Sequence, residues 1–263
     1  SRHDQRTRLQ AAYTRRTRRL GESDALVELM TRDHGRHLGV VKGGRSRRRA
    51  PSLQVGNRLE VVWRARLDEH LGHFAVEPVD ARAAGLMADP LALNAVQTLA
   101  AHLRLLPERD PQPELFAAFE AMLDGLDHPR LVGELMARFE MAVIEALGFG
   151  LDLSECALTG EGAETADLAW VSPKTGRAAA RDAGRPWADR LLPLPAFLCP
   201  DRAGSPSAWG RETTADLAAG LALTRHFLDR HVWEARGLPP PSTREAFLAG
   251  LWKALAEADA ASR

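Results

Sequence analysis

Leu59-Glu60-Val61-Val62-Trp63-Arg64 sets Leu59, Val61 and Trp63 on one side of an extended chain and Glu60, Val62 and Arg64 on the other, because successive strand side chains point to opposite faces. Leu71 to Val76 reads as its partner strand. Upstream, from about residue 24, the segments are short: Leu26 to Met30 is apolar, Asp33-His34-Gly35 forms a turn, Leu38 to Val41 resumes, and Gly43-Gly44 breaks the run again. About five strands in some eighty residues predict a small barrel or sandwich rather than a parallel sheet. Trp63 and Phe74 could stack on bases, but as members of an alternating strand pair they are read as core.

After Pro78 the period changes. Leu115, Phe119, Met122 and Leu126 recur at helical spacing, as do Leu135, Phe139, Val143 and Leu147, with Gly148 where a helix would end. Leu217, Leu221 and Leu228 continue the pattern before Gly237 and Pro239-Pro240-Pro241 stop it. A last helix is predicted from Ser242, whose hydroxyl can cap the first turn while Glu245 reaches back, burying Phe247, Leu248, Leu251 and Leu255. Between the helix groups, Leu168 to Val171 and the Ser172-Pro173-Lys174-Thr175-Gly176 turn predict a small inserted hairpin. The expected fold is an α+β multidomain chain, a small β domain followed by a helical one.

The 35 basic and 35 acidic residues among 263 cancel, but unevenly. Residues 1–49 hold 13 Arg and 1 Lys against 5 acidic residues, a local charge of +9 that the rest of the chain offsets. Such asymmetry is expected where one part meets a polyanion. The basic residues concentrate in Gly35-Arg36-His37-Leu38-Gly39-Val40-Val41-Lys42-Gly43-Gly44-Arg45-Ser46-Arg47-Arg48-Arg49. Lys42, Arg45, Arg47, Arg48 and Arg49 fall on one glycine-containing loop, where several charges can track a phosphate backbone together. Arg64 and Arg66 alternate away from the core onto a wettable face.

Signatures of catalysis are missing from the sequence. It has no phosphate-cradling Gly-x-x-x-x-Gly-Lys-Ser/Thr loop, no Gly-x-Ser-x-Gly elbow and no His-Glu-x-x-His pair. His34 and His37 straddle a predicted turn and are read as exposed, and His226 and His231 have no ligand spacing. Glu155, Glu161, Glu164 and Asp167 are read as a solvated loop, with a metal-dependent nuclease as a remote alternative. Cys156 and Cys199 stand in no paired-ligand spacing and are read as free, partly buried thiols. No apolar run approaches the roughly 18 to 20 residues needed to span a bilayer, and the Arg-rich start has no apolar signal core. A cytoplasmic, nucleoid-associated protein is expected.

Several stretches resemble a known family. Gly21-Glu22-Ser23-Asp24-Ala25-Leu26-Val27, Leu29-Met30-Thr31-Arg32-Asp33-His34-Gly35-Arg36 and the Lys42-Gly43-Gly44-Arg45 loop are similar to the start of the RecO recombination mediators. Leu105-Leu106-Pro107-Glu108-Arg109-Asp110-Pro111, Arg138-Phe139-Glu140, Leu147-Gly148-Phe149-Gly150-Leu151-Asp152-Leu153 and Val171-Ser172-Pro173-Lys174-Thr175-Gly176-Arg177 look like its central motifs. The similarity runs from about residue 20 to 255. It implies an N-terminal OB-fold over 20–80 and a helical domain over 81–263, with the inserted hairpin at about 155–185 resembling a degenerate zinc ribbon. It also implies binding of single- and double-stranded DNA, annealing of complementary strands, and action with RecR to load RecA onto DNA coated by single-strand-binding protein, with no enzymatic step. The DNA contacts carried over are Arg36, Lys42, Arg45, Arg47, Arg48 and Arg49.

Two departures from the family pattern stand out. Cys156 matches the first cysteine of the zinc ribbon that some members carry, while Thr159, Ala180 and Ala183 occupy the other three positions. One thiolate cannot hold zinc tetrahedrally, so no metal and no cofactor are expected. Residues 1–19 replace the family's alternating first strand with Arg2, Arg6, Arg8, Arg15, Arg16, Arg18 and Arg19; an atypical basic segment is expected there, frayed or disordered over residues 1–10. For the acidic, apolar tail of single-strand-binding protein, Arg104, Arg109, Arg138 and Arg225 lie near apolar stripes. The competing reading is a helical protein-interaction adaptor that does not bind DNA directly.

Overall fold

The computed structural model describes residues 5–262. The chain forms two compact units, Ser1–Leu123 and Asp124–Arg263, so the first three helices cluster with the barrel.

In the first unit, β1 (Gln5–Leu20), β2 (Asp24–Thr31), β3 (Gly35–Val41), β4 (Arg58–Ala65) and β5 (His73–Asp80) close a barrel in the order β1-β2-β3-β5-β4. All neighbours are antiparallel except β3 and β5, which meet in parallel at Val40 and His73. The predicted alternation holds: Leu59, Val61 and Trp63 point into the core with Leu29, Val41, Leu53 and Phe74. Trp63 and Phe74 are therefore core residues, and the Trp63 Nε1–H donates to the Leu71 carbonyl at 3.0 Å.

The expected frayed arm is, from Gln5 onward, a barrel strand; residues 1–4 lie outside the described residues. Its first part pairs with β4 (Thr7 with Trp63, Leu9 with Val61) and its second with β2 (Thr17 with Val27). Leu9, Ala12 and Tyr13 are buried. Irregularities between Leu9 and Ala12 and between Thr14 and Arg16 reset the register, which is how an extra residue bends a strand around a barrel. Those offsets break the period of two, and so hide the strand in the sequence. Arg15 is buried, paired with Glu28, and its Nη1 donates to the Ala100 carbonyl at 2.5 Å.

His37 differs from expectation too. It sits in β3, 4% exposed, its ring 5.1 Å from that of Trp63 and 5.6 Å from that of Phe74. Its Nδ1 meets the Leu38 carbonyl at 3.0 Å, a contact that suits a neutral ring donating there. The short helix α1 (Ala83–Ala88), then α2 (Pro90–Leu103) and α3 (Pro113–Asp124), complete the unit. Phe116 and Phe119 pack on the Tyr13 ring at 5.9 and 5.6 Å.

The second unit is built on α4 (Pro129–Ala146). It ends as its sequence predicts, with Gly148 at a φ of 88° just past the last turn. The inserted hairpin is β6 (Leu168–Val171) with β7 (Ala178–Ala180), followed by α5 (Arg181–Gly184), and β8 (Leu192–Pro193) adds to β6 in the order β7-β6-β8. Helix α6 (Thr214–Leu228) passes through a π-helical turn, Asp229–Trp233, into α7 (Glu234–Arg236), and α8 (Ser242–Ala261) follows. The capping box expected at Ser242 is not made: the N-cap is Pro241, and Glu245 pairs with Arg225 on α6. In the core of this unit Glu140 accepts from Arg244 Nε at 2.7 Å and Nη2 at 2.9 Å, and from the Thr224 hydroxyl.

Candidate nucleic-acid interface

The loop joining β3 to β4 carries five of the six predicted DNA contacts, and it is braced rather than loose. The Gly43 N–H donates to Asp24 Oδ1 at 2.9 Å, the Arg45 N–H to the Ser23 carbonyl at 3.1 Å, and the Ala50 N–H to the Ser46 carbonyl at 2.9 Å. Gly43 takes a φ of 62°, a left-handed conformation that suits glycine. At Gly44 a Cβ would come 2.7 Å from the Ala25 Cβ, so only glycine lets the loop lie this close to β2. A short 3-10 turn, Ala50–Leu53, anchors its far end through the buried Leu53.

This bracing divides the predicted residues. Lys42, Arg47 and Arg48 are exposed and stand without a carboxylate partner among the described residues. Arg49 Nη1 donates to the Lys42 carbonyl at 2.7 Å, and Arg45 Nη1 to the Gly21 and Glu22 carbonyls at 2.8 and 2.6 Å. Both keep an uncompensated charge while stiffening the loop. Arg36 is set apart: it is ion-paired with Glu28, and its Nε donates to the Leu106 carbonyl at 3.2 Å.

Sequence reading missed Arg18 and Arg19, which it left in the atypical segment. With Thr17, Ala25, Gly44, Arg45, Ala50 and Gln54 they line a groove of about 360 Å³ between the end of β1 and the basic loop. Thr17 ties its two sides together by donating to the Leu53 carbonyl at 2.6 Å. Burial first, then the charges of Arg104 and Arg18, lower the pKa of Arg16, so cations crowd this end of the strand. Their signal in the sequence is the charge run itself, legible only once β1 is known to bring it beside the loop.

The other sequence candidates are placed differently. The Arg109 guanidinium lies over the Trp63 ring at 4.6 Å, Arg138 pairs with the buried Glu134 at 2.6 Å, and Arg225 faces Asp229 and Glu245. In the acidic stretch, Asp167 is held below the usual carboxylate range by the hydrogen bond from Arg181, with Arg202 adding to it; Glu155 faces Arg177 at 3.4 Å. Cys156 and Cys199 are both buried and free. Burial works against ionising Cys156, but hydrogen bonds from the Thr159 side chain and from the amides of Ala180, Leu158 and Thr159 lower its pKa. Among the described residues no group of three or more His, Cys, Asp or Glu could hold a metal ion, and no helix is long and apolar enough to cross a membrane.

The order of barrel, braced basic loop and helical unit agrees with the family comparison. Residues 8–82 match the family described as recombination protein O N terminal, and residues 89–237 match recombination protein O C terminal. The chain belongs to the RecO family. The N-terminal match begins within β1, so the arginine-rich strand is part of the family's domain. A RecO-family relative from Chelativorans sp. (strain BNC1), named DNA repair protein RecO, is 55% identical over 245 residues, covering 93% of this chain and 95% of its own. The protein of the same name from Methylobacterium nodulans is 56% identical over 232 residues (88% and 92%), and that from Brucella abortus (strain 2308) is 49% identical over 239 (91% and 93%).

Proposed function

We propose that this RecO-family protein binds single- and double-stranded DNA through the β3–β4 loop and the adjoining end of β1. It would act in the cytosol as a recombination mediator that anneals complementary strands and, with RecR, helps RecA displace single-strand-binding protein. The observation that carries this reading is the braced loop: Lys42, Arg47 and Arg48 are exposed on a fixed backbone, and the same loop brings Arg45 into one groove with Arg18 and Arg19. Held in place before binding, such cations lose less conformational freedom when a phosphate backbone arrives. No bond-making step enters this role.

The test is fluorescence anisotropy of a labelled single strand across a salt series, comparing the protein with a Lys42→Ala, Arg47→Ala, Arg48→Ala variant. Each phosphate contact on a single strand contributes about −0.7 to the slope of log K against log salt, so the variant's slope should be shallower by about 2. Equal affinity and slope for both proteins would transfer the assignment to the adaptor reading.

For the acidic, apolar tail of single-strand-binding protein, charge favours the cleft lined by His128, Arg130, Leu131, Trp209, Arg211 and Leu255, where Asp259 engages Arg130 but Arg211 has no carboxylate partner among the described residues. The larger apolar groove around Arg138 carries Glu145, Asp152 and Asp201 on its walls, and Arg138 is already neutralised by Glu134. Tail-peptide titration should weaken with Arg211→Glu; an unchanged affinity would remove the cleft from this role.

A further inference from the structure

β1 is a 16-residue strand, and its N-terminal half carries a second cationic feature that the β3–β4 loop does not reach. Arg6 lies directly across from Arg64 on β4, and Arg64 directly across from His73 on β5. All three are exposed, so they form one row across the outer face of three strands, and Arg66 is exposed just beyond the end of β4. Neither Arg6 nor Arg64 has a carboxylate partner among the described residues. Like charges directly opposite on a sheet are destabilising, so this row works against the fold unless something anionic lies on it.

The neighbouring rows define what fits. Arg8 is opposite Val62, and Val62 opposite Ala75, giving a floor of small apolar groups beside the cations. One row further, Glu60 is opposite Glu77, and Glu60 holds Arg8 at 3.2 Å. Arg6, Arg64 and the residues of these two rows line a groove of about 600 Å³, and His73 extends the cationic row beside it. A ligand must put its negative charge on the Arg6–Arg64–His73 side, lay an apolar part on Val62 and Ala75, and keep its charge off the acidic edge. A sugar–phosphate strand running along the cationic row meets all three conditions.

We propose that the outer face of β1, β4 and β5 is a second single-strand site, with Arg6, Arg64 and His73 holding phosphates and Val62 and Ala75 under the sugars. It is separate from the loop site, because Arg6 pairs with Arg64 on β4 whereas Arg18 pairs with Leu26 on β2, on the far side of the two register shifts that bend β1 around the barrel. One barrel then holds two strands apart, which is what bringing complementary strands together requires. This deepens the DNA-binding reading above and rests on it.

The test uses the full chain and two non-complementary hexathymidylates, one carrying a donor dye and the other an acceptor. The protein should bind two oligonucleotides and give energy transfer. Arg6→Gln with Arg64→Gln should reduce the stoichiometry to one and abolish the transfer; so should the Lys42, Arg47, Arg48 alanine variant, acting at the other site. A stoichiometry of one for the unaltered protein, or of two for Arg6→Gln, Arg64→Gln, overturns the second site while leaving the loop assignment standing. If only the loop variant keeps full binding, the loop assignment fails instead. A melting measurement without DNA supplies an independent sign: relieving the like-charge row should raise the Tm of Arg64→Gln as its DNA affinity falls at least several-fold, whereas a lowered Tm would mean that Arg64 serves the fold. Glu60→Gln, which frees Arg8, should tighten binding; weaker binding would count against the groove.

Discussion

Arginine is abundant in both units of the molecule, but the barrel unit keeps a cluster of it unpaired. In the helical unit, guanidiniums stand against carboxylates: Arg130 with Asp259, Arg138 with Glu134, Arg177 with Glu155, Arg181 and Arg202 with Asp167, Arg225 with Glu245, and Arg244 with Glu140. In the barrel unit, Arg15 and Arg36 share Glu28, and Arg8, Arg32 and Arg82 meet Glu60, Glu120 and Asp80, while Arg18, Arg19, Arg47, Arg48 and Arg64 face water with no carboxylate partner among the described residues. An arginine count thus says little about nucleic acid. The decisive quantity is how many guanidiniums remain after the acids that folding brings within reach are assigned.

The comparison breaks most decisively at the buried pair. Arg244→Leu leaves the Glu140 carboxylate, which is fully buried, without its counter-ion, and removing one member of such a pair costs about 3–5 kcal/mol. Urea unfolding should report that loss; a change under about 1 kcal/mol would show that the pair does not hold the helical core.

Next in size is a pH effect inside the barrel. Burial foremost pushes the His37 imidazole down from 6.5 to about 4. The folded state therefore binds fewer protons than the unfolded state between these values. Stability from the neutral ring is fully present above about pH 6.5 and is lost as pH falls towards 4, by at most about 3 kcal/mol. His37→Phe should flatten that part of the stability profile; a profile steep to the same degree would place its cause elsewhere.

The smallest effect is expected where the sequence looks equally basic. Replacing the paired Arg177 and Arg181, both exposed, and the half-buried Arg225 with alanine should leave DNA affinity within about twofold. Stability should change by less than about 1 kcal/mol per site. The loop variant Lys42→Ala, Arg47→Ala, Arg48→Ala should lose roughly a hundredfold in affinity at about 0.1 M salt. If the two triple variants weaken DNA binding equally in an anisotropy titration, paired and unpaired arginines are not functionally distinct.

The barrel was legible where a period of two survives, as at Leu59, Val61 and Trp63, and the helices where Leu, Phe and Val recur at one turn. β1 was not, because Thr7 and Ala12 stand at positions where larger apolar residues would announce a strand, and two register shifts scramble the alternation. The inward turn of His37 was hidden by its nearness to Asp33-His34-Gly35. At the candidate site the loop itself was legible as charge. Which cations stay free was not, since the groups that engage Arg36, Arg45 and Arg49 are Glu28 and the backbone carbonyls of Leu106, Gly21, Glu22 and Lys42. Those pairings exist only after folding. The missing Ser242 cap has the same origin, since Glu245 finds Arg225 across the helix pair.

The pairing of Gln5 with Ala65 has a consequence for how the chain is made. β1 cannot complete its hydrogen bonds until some sixty further residues have been synthesised, and contacts of such long sequence separation form late. During that interval the nascent chain trails an unpaired edge, the usual starting point of aggregation. Arginines at 6, 8, 15, 16, 18 and 19 give that edge a dense like charge, so two unfinished chains on neighbouring ribosomes repel one another until the barrel closes.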